Sequence, residues 1–105
     1  MKQITVFQLK EKLDNKEKFI LLDVREPEEF ELCNINGSIL VPLSEIDDHL
    51  PDFKKDAQYV VHCKSGRRSA EAIEIMTGNG FKDCTNLEGG ILQWAGSIDR
   101  HMEKY

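Results

Sequence analysis

The chain has 105 residues, 40% of them apolar and 31% charged, which suits one hydrophobic core and excludes two independent ones. Fourteen Lys and Arg against nineteen Asp and Glu give a formal charge of −5, which excludes a general nucleic-acid or anionic-membrane surface, because such binding rests on excess basic charge. No apolar run approaches the roughly 18 residues that cross a bilayer, and the charged opening MKQITVFQLKEK lacks a secretory apolar region. One cytoplasmic domain over residues 1–105 is expected, with no membrane and no nucleic-acid partner.

Thr5 is placed to cap a helix running to about Asp14, with Val6, Leu9, Lys10 and Leu13 on one side. Residues 19–23 (FILLD) form a short, nearly unbroken apolar run, the pattern of a strand covered on both faces. Pro27 suits the first turn of a short helix over EPEEFEL. Residues 38–41 read as a second strand, after which Ser44 caps a helix that Pro51 stops. Residues 57–62 (AQYVVH) are the clearest central strand. A helix over 69–79 carries Ala70, Ala72, Ile73, Ile75 and Met76 and ends between Gly78 and Gly80. A last strand at 84–87 leads through Gly89 and Gly90 into a helix with Ile91, Leu92, Trp94 and Ile98. Strands alternate with helices throughout, which predicts an α/β fold with a parallel sheet.

Cys33, Cys63 and Cys84 lack CxxC spacing, so neither a disulfide framework nor a zinc site is expected, and no cofactor. Cys63 stands apart because it falls just after a buried strand and just before a helix. In open α/β sheets that end of the strands binds ligands, and backbone N–H groups facing a helix N-terminus there stabilise negative charge. Gly66 permits a tight turn around the sulfur, while Lys64, Arg67 and Arg68 bring three positive charges into an acidic chain. Those cations oppose the helix dipole, so something anionic should compensate them. Cys63 is thus the candidate nucleophile, and Lys64, Ser65, Gly66, Arg67 and Arg68 the loop that binds its substrate. His62, as the neighbouring strand residue, should point to the opposite face and serve structure. Cys33 and Cys84 have no basic cluster around them and read as packing.

Three runs, CKSGRRS, LLDVREPEEFE and NLEGGILQW, resemble in order the active-site loop, the Asp-x-Arg motif with its Glu-aromatic pair, and the Leu-x-Gly-Gly-x-x-x-Trp signature of the rhodanese family of sulfurtransferases. The resemblance implies a central parallel five-stranded sheet with helices on both faces. It also implies a cysteine, Cys63 by position, that accepts a sulfane sulfur as a persulfide and passes it on. Closer still, LLDVREPEEFELCNINGS, HCKSGRRSA and GGILQWAGSIDRHMEKY resemble the rhodanese modules fused behind adenylyltransferases of molybdopterin and thiamin synthesis. That likeness implies thiosulfate or a protein persulfide as donor, a cysteine desulfurase as its source, and a small sulfur-carrier protein as acceptor. Where many members have Gly-His-Ile, this chain has Cys33, Asn34 and Ile35. Asp23 and Arg25 read as an ion pair or as loop hydrogen bonds, with Arg25 a candidate border of the pocket. Gly89 and Gly90 read as backbone requirements and Trp94 as core.

Two other functions are compatible with parts of the pattern. A cysteine phosphatase or arsenate reductase also has a cysteine loop with Gly and Arg-Ser, but places its arginine six residues after the cysteine, where this chain has Ser69. A non-catalytic docking module would keep the fold without the chemistry.

Overall fold

Apolar residues along each strand alternate between two helical layers, and this alternation turns the predicted runs into a sheet covered on both sides. The computed structural model describes residues 1–105. Five strands, β1 (Gln3–Ile4), β2 (Ile20–Asp23), β3 (Ile39–Leu40), β4 (Gln58–His62) and β5 (Asp83–Leu87), pair in parallel in the order β1-β5-β4-β2-β3. Tyr59 and Val61 of β4 pack on Ala72, Ile73 and Met76 of helix α4 (Arg67–Gly78) and on Ile46 of α3 (Ile46–His49). On the other face Val60, Leu21 and Leu87 meet Val6 and Leu9 of α1 (Val6–Asp14) and Ile91 and Trp94 of α5 (Gly90–Ser97). The short α2 (Pro27–Leu32) follows β2. The result is one α/β unit with helices on both faces of a parallel five-stranded sheet, as expected. No helix is long and apolar enough to cross a membrane.

Thr5 caps α1 in a reciprocal box, its hydroxyl accepting from the Gln8 N–H at 3.1 Å while the Gln8 side chain accepts from the Thr5 N–H at 2.8 Å. Three elements differ from expectation. Strand β1 has only two residues and no apolar run to reveal it; it exists because Gln3 and Ile4 pair with Asn86 and Leu87 of β5. The helix expected to begin at Ser44 is broken into a 3-10 turn (Leu43–Glu45), α3, and a second 3-10 turn (Leu50–Asp52). Pro51 does not end the run, because it sits in the opening of that last turn, where its missing N–H costs nothing. Helix α4 begins at Arg67, two residues before the predicted Ser69, because Gly66 supplies the cap position with φ +118°.

Candidate active site

Cys63 is the first residue beyond β4, and only 1% of its surface is exposed. The chain turns immediately around its sulfur: the Gly66 N–H donates to Sγ at 3.1 Å, and Ser69 Oγ lies 3.4 Å from it. Gly66 holds a left-handed φ that side-chain-bearing residues avoid, and α4 then opens with its N-terminus toward the sulfur.

Two outside elements hold this loop. The first turn of α5 donates N–H groups to the loop's carbonyls, Ile91 to Cys63 at 3.0 Å and Leu92 to Lys64 at 3.1 Å. This turns those carbonyls away from the sulfur. The approach is so close that a Cβ on Gly90 would lie 2.4 Å from the Lys64 oxygen and 2.7 Å from that of Cys63, which is why a glycine stands there. From β5, Asn86 donates its amide to the Gly66 carbonyl at 3.2 Å and accepts the Ser69 hydroxyl at 2.6 Å.

Burial opposes a charged Cys63 sulfur, but the backbone N–H groups of Ser69, Gly66 and Ser65, with the Ser69 hydroxyl when its hydrogen turns from Asn86 to the sulfur, outweigh it, so the thiol sits below its ordinary pKa. Hydrogen bonds around the sulfur, rather than the basic side chains, are the main favourable causes.

The basic residues are mostly committed elsewhere. Arg68 makes a two-pronged ion pair with Glu29 of α2, at 2.6 and 2.9 Å. The Arg68 hydrogen bond leads the causes that bring the Glu29 carboxyl down to about 2. Glu29 is therefore the anion that the sign reversal required. Lys64 lays its ammonium over the Tyr105 ring, 4.4 Å from the centroid. The Tyr105 hydroxyl donates to Glu29 at 2.6 Å and accepts from Arg25 at 2.8 Å. Burial, then the bond to Glu29, pushes that phenol up to about 12. Ser65 and Arg67 are the exposed side chains of the loop.

Arg25 requires a correction. It does not border the pocket, because its side chain has no exposed surface: it is pinned on Asp23 at 2.7 Å and on the Cys33 carbonyl at 2.7 Å. Burial of both partners takes the pair out of the class of weak surface salt bridges. Cys33, which has no basic neighbour in sequence, has the Arg25 guanidinium 3.8 Å from its sulfur. His62 lies with the buried Asp23, 3.7 Å away, on the face opposite Cys63, and burial holds it below its ordinary pKa. Gly89 and Gly90 both have positive φ, and Trp94 is in the core.

Four contributors escaped the sequence. Ser69 and Asn86 stand within the CKSGRRS and NLEGG runs, and Glu29 within the Glu-aromatic pair, so proximity to those motifs was the available signal. Tyr105 had none. A groove of about 760 Å³ lies at the opposite end of the sheet among Lys18, Phe19, Ile20, Lys54, Asp56, Ala57 and Gln58 and contains no cysteine.

The sequence model of the family described as "Rhodanese-like domain" matches residues 5–97. Over 97% of this chain there is 38% identity to a Mycobacterium tuberculosis protein named "Probable adenylyltransferase/sulfurtransferase MoeZ", of whose length the chain spans only 26%. A protein of Allochromatium vinosum named "Sulfurtransferase" is 32% identical over 83% of this chain and 81% of its own. Among solved structures, a rhodanese-like domain protein from Staphylococcus aureus superposes with a TM-score of 0.84 at 38% identity, covering 90% of this chain and 91% of that one.

Proposed function

The chain belongs to the rhodanese-like domain family, and from that premise we propose that it is a sulfurtransferase that carries a sulfane sulfur as a persulfide on Cys63. The observation that carries this reading is the closure of the loop on Sγ, with the Gly66 N–H at 3.1 Å and the start of α4 directed at it. In the first half-reaction the Cys63 thiolate attacks the outer sulfur of the donor. A bond from Sγ to that sulfur forms, the donor's own bond to it breaks, and the electron pair leaves on the donor fragment, as sulfite from thiosulfate or as a cysteine thiolate from a protein persulfide. In the second, a nucleophilic acceptor takes the outer sulfur and the Cys63 thiolate is regenerated, giving ping-pong kinetics. The loop N–H groups hold the negative charge that moves between the two sulfurs. Thiolate and sulfane sulfur supply every electron pair, so the chemistry calls for no cofactor.

Exposed Arg67 and the mouth of the loop suit a small anionic donor such as thiosulfate. Likeness to an adenylyltransferase/sulfurtransferase supports a protein persulfide, charged by a cysteine desulfurase, as the alternative donor and a small sulfur-carrier protein as acceptor. The same likeness supports a role in molybdopterin or thiamin synthesis. A persulfide cycle needs a free thiol, which fits the reducing cytoplasm.

The geometry argues against the phosphatase or arsenate reductase alternative. Position six of the loop is Ser69, its hydroxyl bonded to Asn86 of β5, and Arg68 is already paired with Glu29, so the place where those enzymes hold an arginine carries none. Intact-mass measurement after incubation with thiosulfate tests the proposal: a reducible gain of about 32 Da, one sulfur atom held covalently, should appear and be lost in Cys63→Ala. Its absence with both thiosulfate and a charged desulfurase would leave the non-catalytic docking module.

A further inference from the structure

Asn86 is 5% exposed and spends both halves of its amide on the sulfur loop. Gly66 settles which way it points, because Nδ2 must face the Gly66 carbonyl at 3.2 Å, where an oxygen would meet a second acceptor. Oδ1 therefore faces Ser69, and since an amide oxygen only accepts, the Ser69 hydroxyl must donate to it across 2.6 Å. A hydroxyl has a single hydrogen. With that hydrogen on Asn86, the 3.4 Å contact from Ser69 Oγ to Cys63 Sγ can be filled only by the thiol's own S–H. A thiolate has no hydrogen to give. Ionisation thus asks Ser69 to turn its hydrogen to sulfur, leaving Ser69 Oγ and Asn86 Oδ1 face to face at 2.6 Å with no proton between them.

We infer that Asn86 is a positioning residue which, through the one hydrogen of Ser69, favours the states in which Cys63 Sγ is neutral over the bare thiolate. One such state is the thiol. The other rests on the sulfur-transfer reading: in the persulfide, Sγ is bonded to Cβ and to the outer sulfur, which carries the charge. As the bond from Sγ to the transferred sulfur forms and the donor fragment leaves with its electron pair, the Ser69 hydrogen returns to Asn86. The loop N–H groups favour the thiolate and Asn86 opposes it, which shortens the life of the unloaded, oxidisable sulfur. The charged group facing Cys63 is Arg68 of α4, with Glu29 of α2 behind it; Arg67 of α4 is exposed, Lys64 of the loop lies over Tyr105, His62 and Asp23 lie on the other face, and α5 offers only backbone. None of these side chains bonds to Ser69 or Asn86, so the relay can be altered without touching them.

The test is the pH dependence of Cys63 alkylation by iodoacetamide, followed at the Cys63 peptide by mass spectrometry. Asn86→Ala should lower the midpoint by about one pH unit, the size of one hydrogen bond to a charged group, and Asn86→Asp should raise it. In a Ser69→Ala background, Asn86→Ala should shift nothing. A midpoint that stays or rises in Asn86→Ala, or an equal shift without the serine, overturns the inference. Infrared spectroscopy needs no Asn86 variant: the Cys63 S–H stretch, identified by its loss in Cys63→Ala, should lie lower in the wild-type protein than in Ser69→Ala, and coincident bands overturn the inference equally. These measurements do not involve sulfur transfer, so a missing persulfide adduct would count against the proposed function alone.

Discussion

Cys63 and Cys84 lie at opposite ends of neighbouring parallel strands, Cys63 just past the end of β4 and Cys84 near the start of β5. Cys63 is almost fully buried and Cys84 partly exposed, so burial alone would make Cys63 the less acidic thiol. The order is reversed. Burial and then the adjacent Asp83 carboxylate push Cys84 up to about 11, while the hydrogen-bonding loop takes Cys63 below its ordinary value against a burial penalty. What separates them is the direction of the backbone. At the carboxyl ends of the strands, loop N–H groups and a helix N-terminus converge on one sulfur; at the amino ends no such convergence exists.

The largest expected effect bears directly on this contrast. Cys63→Ala should reduce thiosulfate sulfurtransferase activity by at least roughly 10³-fold, as loss of a covalent nucleophile does, whereas Cys84→Ser should keep the wild-type rate. Steady-state assays of both would break the comparison if the two variants behaved alike. Gly90→Ala comes next, since its Cβ would collide with the carbonyls of Cys63 and Lys64. The displaced loop should raise the Cys63 alkylation midpoint and cost about 1–3 kcal/mol of stability, with the reactivity of Cys84 unchanged.

Acid unfolding should also report on the Cys63 end of the sheet. His62 has its folded pKa depressed by burial, so the unfolded chain binds the proton more readily. Its contribution is present above the unfolded value of about 6.5 and is lost as pH falls below it. Glu29, held at about 2 against 4.5, acts in a lower window, losing its contribution as pH falls from 4.5 towards 2. Denaturant melts at closely spaced pH values should show a decline that begins below about 6.5 and steepens below 4.5, and His62→Gln should remove the onset above 4.5. The smallest effect concerns the loop cations. Arg67→Ala should raise the thiosulfate KM by about 2–5-fold at low ionic strength and by less at high salt, with kcat unchanged, because an exposed charge is screened. Lys64→Ala should do less, since its ammonium is already stacked on Tyr105.

The alternation of apolar runs with helical spacing determined the α/β class, and a glycine-bearing, cationic loop between strand and helix determined the position of Cys63. Both are local patterns, carried by residues within one turn or strand of each other. The tertiary structure decided what is made by pairs far apart in sequence. Strand β1 is defined by its pairing with β5, more than eighty positions away. Arg25 reads as a pocket cation until burial with Asp23 shows it to be a structural one. The charge of Arg68 is answered by Glu29, 39 residues earlier, and the direction of the Ser69 hydrogen by Asn86, 17 residues later. The order of amino acids places a charge or a hydroxyl in a segment, but only the folded chain supplies its partner, and the partner decides whether that group is free to act on a substrate.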